Sequence, residues 1–194
     1  DHDPDQREQP APGVLSRVPV LPMSQPSIMI IAGEASGDQH GAKLAQALQN
    51  RSGNIALFGV GGGAMQAAGV RRILDSKTLS VVGITEVVAK LPVIHRGFVT
   101  VTRALRRIKP DLLILIDFPD FNFLVAKVAK QLRIPVLYYI SPQVWAWRQS
   151  RVKTIRRLVD HMAVIFPFEA AFFRRLRVPV TFVGHPLLDR IDPA

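Results

Sequence analysis

The sequence predicts an α/β fold: a parallel sheet with helices on both faces. Two observations carry that reading. Short apolar runs, each ending at a glycine or a polar residue, recur along the chain as buried parallel strands do. Between them lie segments whose apolar residues repeat at helical spacing, joined by short links, the pattern of right-handed strand–helix–strand crossovers.

The elements follow in order. Residues 1–27 carry Pro4, Pro10, Pro12, Pro19, Pro22 and Pro26 among scattered charges and few apolar residues. Such a segment buries too little to offset the entropy of ordering, so it is expected to be a disordered tail, with Met23 a natural start. Ile28–Ala32 is the first strand, and Leu44, Ala45 and Leu48 mark the helix after it. Ile55–Val60 and Val70–Leu74 are the next strands. Phe98, Val101, Leu105 and Ile108 form an amphipathic helix. Pro92, just upstream, is expected to end one helix before it. Leu112–Ile116 is a strand, and Leu124, Val125, Val128, Ala129 and Leu132 give a helix. Pro135–Ile140, Met162–Phe166 and Val180–Val183 are strands, with helices near 152–159 and 169–176 between them.

In such sheets ligands bind outside the carboxyl ends of the strands. Chemistry is therefore sought in Gly33–Asp38, Gly61–Gly63, Asp117–Asn122, Ser141–Arg148 and Gly184-His185-Pro186. Composition narrows it further. There is no cysteine, which excludes disulfides, cysteine-ligated zinc and cysteine nucleophiles. No pair of histidines has metal-ligand spacing. The net charge of +10 favours anionic partners. No apolar run reaches the roughly 18 residues of a spanning helix, and no basic-then-apolar leader opens the chain, so a cytoplasmic protein is expected.

The first glycine loop, Gly33-Glu34-Ala35-Ser36-Gly37-Asp38, lets backbone approach an anion at a helix N-terminus. Ser36 or Asp38 is expected as its N-cap, which leaves Glu34 without a structural reason. The loop lacks the Gly-Lys-Ser/Thr of a phosphate-binding P-loop. Gly59-Val60-Gly61-Gly62-Gly63-Ala64 fits a dinucleotide fingerprint formally, but an ordinary turn explains it as well. Asp117 ends a strand of pure hydrocarbon, walled by Ile116 and Phe118. Desolvation there raises a carboxyl towards general-base range, so Asp117 is the candidate base and Asp120 the helix cap. Ser141-Pro142-Gln143-Val144-Trp145-Ala146-Trp147-Arg148 places both tryptophans in one loop, either to stack on a ligand or to anchor the loop. His185 stands at a strand end within reach of a phosphate. Val87, Val88, Leu91, Val93, Ile94 and Phe98, interleaved with Lys90, His95 and Arg96, are expected to form an exposed apolar and basic patch for an anionic membrane.

Together these motifs resemble one family, the lipid-A-disaccharide synthases. The matching stretches are Ala32–Asp38, Val82–Val87, Ile116–Asn122, Ser141–Arg148, Phe166-Pro-Phe-Glu169 and Val183-Gly-His185, in family order across residues 28–186. The resemblance implies the N-terminal, Rossmann-like half of a GT-B glycosyltransferase, inverting and working without metal or other cofactor. It implies transfer of 2,3-diacylglucosamine from UDP to 2,3-diacylglucosamine 1-phosphate, at the inner face of the cytoplasmic membrane. It makes Asp117 the catalytic base and Glu34 a second required acid. Gly33, Ser36, Gly37, Asp120, Asn122, Ser141, Gln143, Trp145, Trp147, Arg148 and His185 then fall in the substrate-binding loops. Residues 187–194 are expected to begin a linker to a UDP-sugar-binding half that this chain lacks, leaving an inactive fragment. The rivals are another UDP-sugar enzyme of this architecture, such as an epimerase, and a basic nucleic-acid-binding module. No nucleic acid is expected as partner, because the aromatics are not interleaved along a basic stripe.

Overall fold

The structure is a computed structural model, described over residues 25–79, 84–142 and 151–186, with side chains of 84–90 excluded. The calls on residues 1–24, on Val87 and Val88, on Gln143, Trp145, Trp147 and Arg148, and on 187–194 lie outside the described residues.

Seven strands form one sheet: β1 (Ser27–Ala32), β2 (Ala56–Gly61), β3 (Arg71–Asp75), β4 (Leu112–Ile116), β5 (Val136–Tyr139), β6 (His161–Val164) and β7 (Val180–Phe182). Their order is β3-β2-β1-β4-β5-β6-β7, and every adjacent pair is parallel. The order reverses between β1 and β4, with Ala32 beside Ile116 in register. That places the loops after β1 and β4 side by side at a topological switch point. Ser27, expected in the tail, opens β1. Its amide and hydroxyl bind the Asp111 carboxylate at 2.8 and 3.2 Å.

Six α-helices lie among the described residues: α1 (Ala35–Ser52), α2 (Gly63–Ala67), α3 (Ile84–Ile108), α4 (Pro119–Gln131), α5 (Arg151–Leu158) and α6 (Pro167–Arg175). On one face, Ala42 and Ala45 of α1 and Met65 of α2 pack on Ile28, Ile30, Ile114 and Ile116. On the other, Val101 and Leu105 of α3, Val125 of α4, Ile155 of α5 and Phe173 of α6 pack on Met29, Ile31, Leu113 and Leu115. Alternate residues of β1 and β4 thus face opposite cores, which is why these strands read as unbroken hydrocarbon.

One expectation fails outright. Pro92 does not divide a helix pair; α3 runs through it. Proline removes one backbone hydrogen bond and crowds the carbonyl four residues back, a local cost. Val101, Ala104 and Leu105, all buried, hold the second half of α3 to the sheet. Leu124, assigned to the apolar face of α4, is instead 52% exposed.

Candidate active site

The β4 tip is built around backbone strain. Asp117 (φ 45°) and Phe118 (φ 48°) both take the left-handed conformation, and so does Ile140 (φ 62°) at the tip of neighbouring β5. For residues with a Cβ, and most of all a β-branched one, such angles persist only where the surroundings over-determine them, and they cluster at functional sites. Here the surroundings do so. The Asp117 carbonyl accepts from Asn122 Nδ2 and from the Tyr138 hydroxyl, both at 2.6 Å. Asn122 Nδ2 also reaches the Ile116 carbonyl at 3.3 Å. The Phe118 ring lies 5.7 Å from that of Phe121 and fills the space a side chain on Gly33 would need, since a Cβ there would come within 2.3 Å of it.

This corner presents the Asp117 carboxyl at the sheet edge, half-buried. Burial pushes its pKa above the ordinary 3.8; the Phe118 amide and the charge of His40 pull the other way. A carboxyl so placed is suited to accept a proton from a hydroxyl. Tyr138, fully buried, is pushed upward too, chiefly by burial, and stays a phenol that donates to the Asp117 carbonyl.

Several expected ligand contacts have structural duties instead. Asn122 is wholly buried and holds the turn, so its side chain has no face open to a substrate. The Ser141 hydroxyl, also buried, donates to Glu169 Oε1 at 2.7 Å, while Glu169 Oε2 accepts from the Phe166 amide at 3.1 Å. One buried carboxylate thereby ties the loop after β5 to the loop after β6. Gly33 and Gly37 are explained by packing: a Cβ on Gly37 would stand 3.3 Å from the Ala32 Cβ.

The capping assignments also change. The N-cap of α1 is Glu34, which makes no side-chain cap bond and is exposed. Ser36 is exposed in the first turn. Asp38 does not cap its own helix. Its carboxylate crosses to the second glycine loop and accepts from the amides of Gly62 (2.7 Å), Ala64 (3.0 Å) and Met65 (3.0 Å). The N-terminus of α2 is therefore already occupied by an internal anion, which leaves no cradle for a dinucleotide phosphate. Asp120 is not the cap of α4 either; Phe118 is, without a side-chain bond. Asp120 lies exposed in the first turn and pairs with Arg151 at 2.5 Å.

His185 stands at the end of β7, three strands from Asp117, roughly 14 Å away at the usual strand spacing. Its ring lies 5.3 Å from that of Phe166. With Leu44, Leu137, Tyr139, Ala163 and Val183 it lines a mostly apolar cavity of about 430 Å³. In the expected membrane patch, Leu91 is 54% exposed, Val93 is half-buried, and Ile94 and Phe98 turn inward against the core. Phe98 meets Phe121 edge-on at 6.4 Å.

Sequence reasoning gave no role to Tyr138, Glu169, Arg151 or His40, although Glu169 falls in a matched stretch. Tyr138 and Glu169 act through partners 21 and 28 residues away, and no local spacing reveals that.

The parallel sheet, its switch point and the acid at its carboxyl edge define an α/β, Rossmann-like chain with a candidate site at that edge. The solved UDP-GlcNAc 2-epimerase of Neisseria meningitidis, bound to UDP-GlcNAc, is similar over 84% of this chain and 47% of its own, with a TM-score of 0.61 at 12% identity. At that identity the likeness concerns the fold. The family profile for lipid-A-disaccharide synthetase matches residues 28–194, and the chain belongs to that family. It is 56% identical to the lipid-A-disaccharide synthase of Geobacter metallireducens over 167 residues, which is 86% of this chain and 44% of that protein. To the synthase of Geobacter sulfurreducens it is 57% identical over 166 residues, 86% of this chain and 43% of that one. The chain thus spans less than half the length of these curated relatives.

Proposed function

We propose that this chain is the acceptor-side half of an inverting glycosyltransferase. The reaction condenses UDP-2,3-diacylglucosamine with 2,3-diacylglucosamine 1-phosphate, giving the lipid A disaccharide and UDP. The observation that carries the reading is Asp117, a half-buried carboxyl with a raised pKa on a strained strand tip, in a chain of this family. The acceptor's primary hydroxyl attacks the anomeric carbon on the face opposite UDP. The new carbon–oxygen bond forms, the bond to the diphosphate breaks, and the hydroxyl proton passes to Asp117. The diphosphate carries away the bonding electron pair, and its charge needs stabilising by donors in the other half. Glu34 sits on the adjoining loop and is the second acid at this edge. Gly33, Ser36, Gly37, Asp120 and His185 lie in the loops and first helical turns at the carboxyl edge of the sheet, and the family resemblance adds Gln143, Trp145, Trp147 and Arg148 to the substrate-binding set.

The enzyme works from the inner face of the cytoplasmic membrane as a peripheral protein. No helix among the described residues is long and apolar enough to cross a membrane. Leu91, Arg96, Arg103, Arg106 and Arg107 are all exposed on α3, a mixture of apolar and basic residues that suits an anionic lipid surface. The testing experiment joins this chain to the remainder of a family member and follows disaccharide formation. The joined protein is expected to turn over and the 194-residue chain alone is not. Transfer by the chain alone would refute the half-molecule reading.

A further inference from the structure

The Glu169 carboxylate is only 2% exposed, and its two oxygens serve different parts of the chain. Glu169 stands in the first turn of α6, and Oε2 turns back to the amide of Phe166, the N-cap, at 3.1 Å. That contact is the usual duty of an acid at this helix position and needs one oxygen only. Oε1 has no such local reason. It accepts from the Ser141 hydroxyl at 2.7 Å, from the loop after β5 and 28 residues away in sequence. Ser141 is buried as well, so the pair is closed to water. Burying a carboxylate is costly, and a helix cap alone does not require it.

The surroundings of Ser141 give this tie its consequence. β6 lies between β5 and β7, with Ala163 beside Tyr139 and Thr181 in register, so the loops after these three strands are neighbours at the carboxyl edge. Just before Ser141, Ile140 takes the left-handed backbone (φ 62°) that disfavours a β-branched residue, and its amide donates to the Ala163 carbonyl at 3.0 Å. Such a turn persists only where its neighbours hold it, and the contact between Ser141 and Glu169 is the next hold along the chain. Both tryptophans follow, four and six residues beyond Ser141. On the other side, the Phe166 ring packs 5.3 Å from the His185 ring, so the same carboxylate also braces the loop after β7 through Phe166.

We propose that Glu169 is a positioning residue: by holding Ser141 and Phe166 at once, its carboxylate sets the direction in which the chain enters the tryptophan loop, residues 143–150. Its part in the reaction rests on the reading of that loop as substrate-binding. Glu169 touches no reacting atom, and its role is geometric. Glutamine can fill that role. Its carbonyl can accept from the Phe166 amide and its amide can donate to the Ser141 oxygen, whose own proton then goes to the Pro142 carbonyl, 3.4 Å away. Alanine can do neither.

The first test does not depend on turnover. The chain has two tryptophans, both in this loop, so tryptophan fluorescence reports on nothing else. Acrylamide quenching is measured on the 194-residue chain, with the fold of each variant verified by far-UV circular dichroism. Losing one such hydrogen bond shifts a local equilibrium about two- to tenfold. The quenching constant is expected to rise about 1.5-fold or more in Ser141→Ala and in Glu169→Ala. Glu169→Gln is expected to match the parent, and the double alanine variant to match the worse single one. Ser141→Ala leaves the Glu169 contact with Phe166 in place, and it decides the matter if Glu169→Ala fails to fold. A folded Ser141→Ala chain quenched like the parent overturns the proposal, as does a glutamine variant quenched like alanine. The second test uses the full-length enzyme. A variant that merely unfolds loses active molecules and lowers kcat, whereas a displaced binding loop is expected to raise the KM of a sugar substrate about threefold or more. That rise is expected in Ser141→Ala and Glu169→Ala and is expected to be reversed in Glu169→Gln. A fall in kcat at unchanged KM overturns the positioning role. An inactive parent enzyme would instead sink the glycosyltransferase reading, and the quenching would still decide the tie.

Discussion

Asp38 offers the sharpest test of the architecture, because three backbone donors converge on one side chain. Its carboxylate takes the amides of Gly62, Ala64 and Met65 at 2.7–3.0 Å, and it is only 7% exposed. Hydrogen bonds to a charged acceptor contribute about 1.5–3 kcal/mol each, and a buried donor left unpaired costs about as much. The Ala64 contact is the least buried of the three, and water can replace part of it. Asp38→Ala should therefore cost about 4 kcal/mol, a large share of the 5–15 kcal/mol typical of a folded domain. Asp38→Asn keeps the shape but turns amide hydrogens towards amide donors, and should cost about 2 kcal/mol. Urea unfolding of the chain measures both. On heating, the alanine variant should lose about 10 °C in Tm. Gly62→Ala supplies the cross-check, since its Cβ would meet Asp38 Oδ2 at 2.5 Å. The glycine change should be much less damaging in the Asp38→Ala background, a coupling that independent sites would not give. A loss below about 1 kcal/mol for Asp38→Ala, with strictly additive behaviour of the pair, would refute the internal-anion account.

Three further outcomes follow from the site and the surface. Asp117 has a folded pKa above its ordinary value of 3.8, so above pH 3.8 the unfolded chain releases this proton more readily than the folded one, and Asp117 subtracts stability as pH rises through its folded pKa. Asp117→Asn, which tolerates the left-handed backbone, should therefore raise Tm at pH 7 more than at pH 3; a gain confined to pH 3 would contradict this. Tyr138→Phe removes one hydrogen bond to the Asp117 carbonyl, which Asn122 still satisfies, and should cost about 1 kcal/mol in urea unfolding; no loss would contradict it. Leu91→Asp should weaken sedimentation with anionic phosphatidylglycerol vesicles at least threefold, and 0.5 M salt should weaken it further in the parent chain; unchanged sedimentation would remove Leu91 from the membrane face.

The strands were legible because both faces of the sheet are covered, and a doubly covered strand announces itself as continuous hydrocarbon. The carboxyl-edge location of Asp117 followed from that, since it ends Leu112–Ile116, while its place at the switch point emerged only from the strand order. The failures share a different cause. Asn122 and Ser141 were expected at a ligand and Asp38 at the cap of its own helix, and from sequence such roles look the same as a buried structural bond. What separates them is a partner elsewhere in the chain: Asp117 and Tyr138 for Asn122, Glu169 for Ser141, and the second glycine loop for Asp38. Pro92 misled for the opposite reason. The local rule against proline in helices was overridden by the packing of the distal half of α3.

The central claim is that Asp117 takes the acceptor's proton. The measurement that bears on it most directly is the rate of disaccharide formation by the full-length enzyme with Asp117→Asn, its folding verified by thermal melting. Loss of a general base typically costs 10²–10⁴-fold, and a fall in kcat/KM of that size in a folded variant is the predicted result. A folded Asp117→Asn enzyme within about tenfold of the parent would contradict the assignment and move the base elsewhere, with Glu34 the next acid to change.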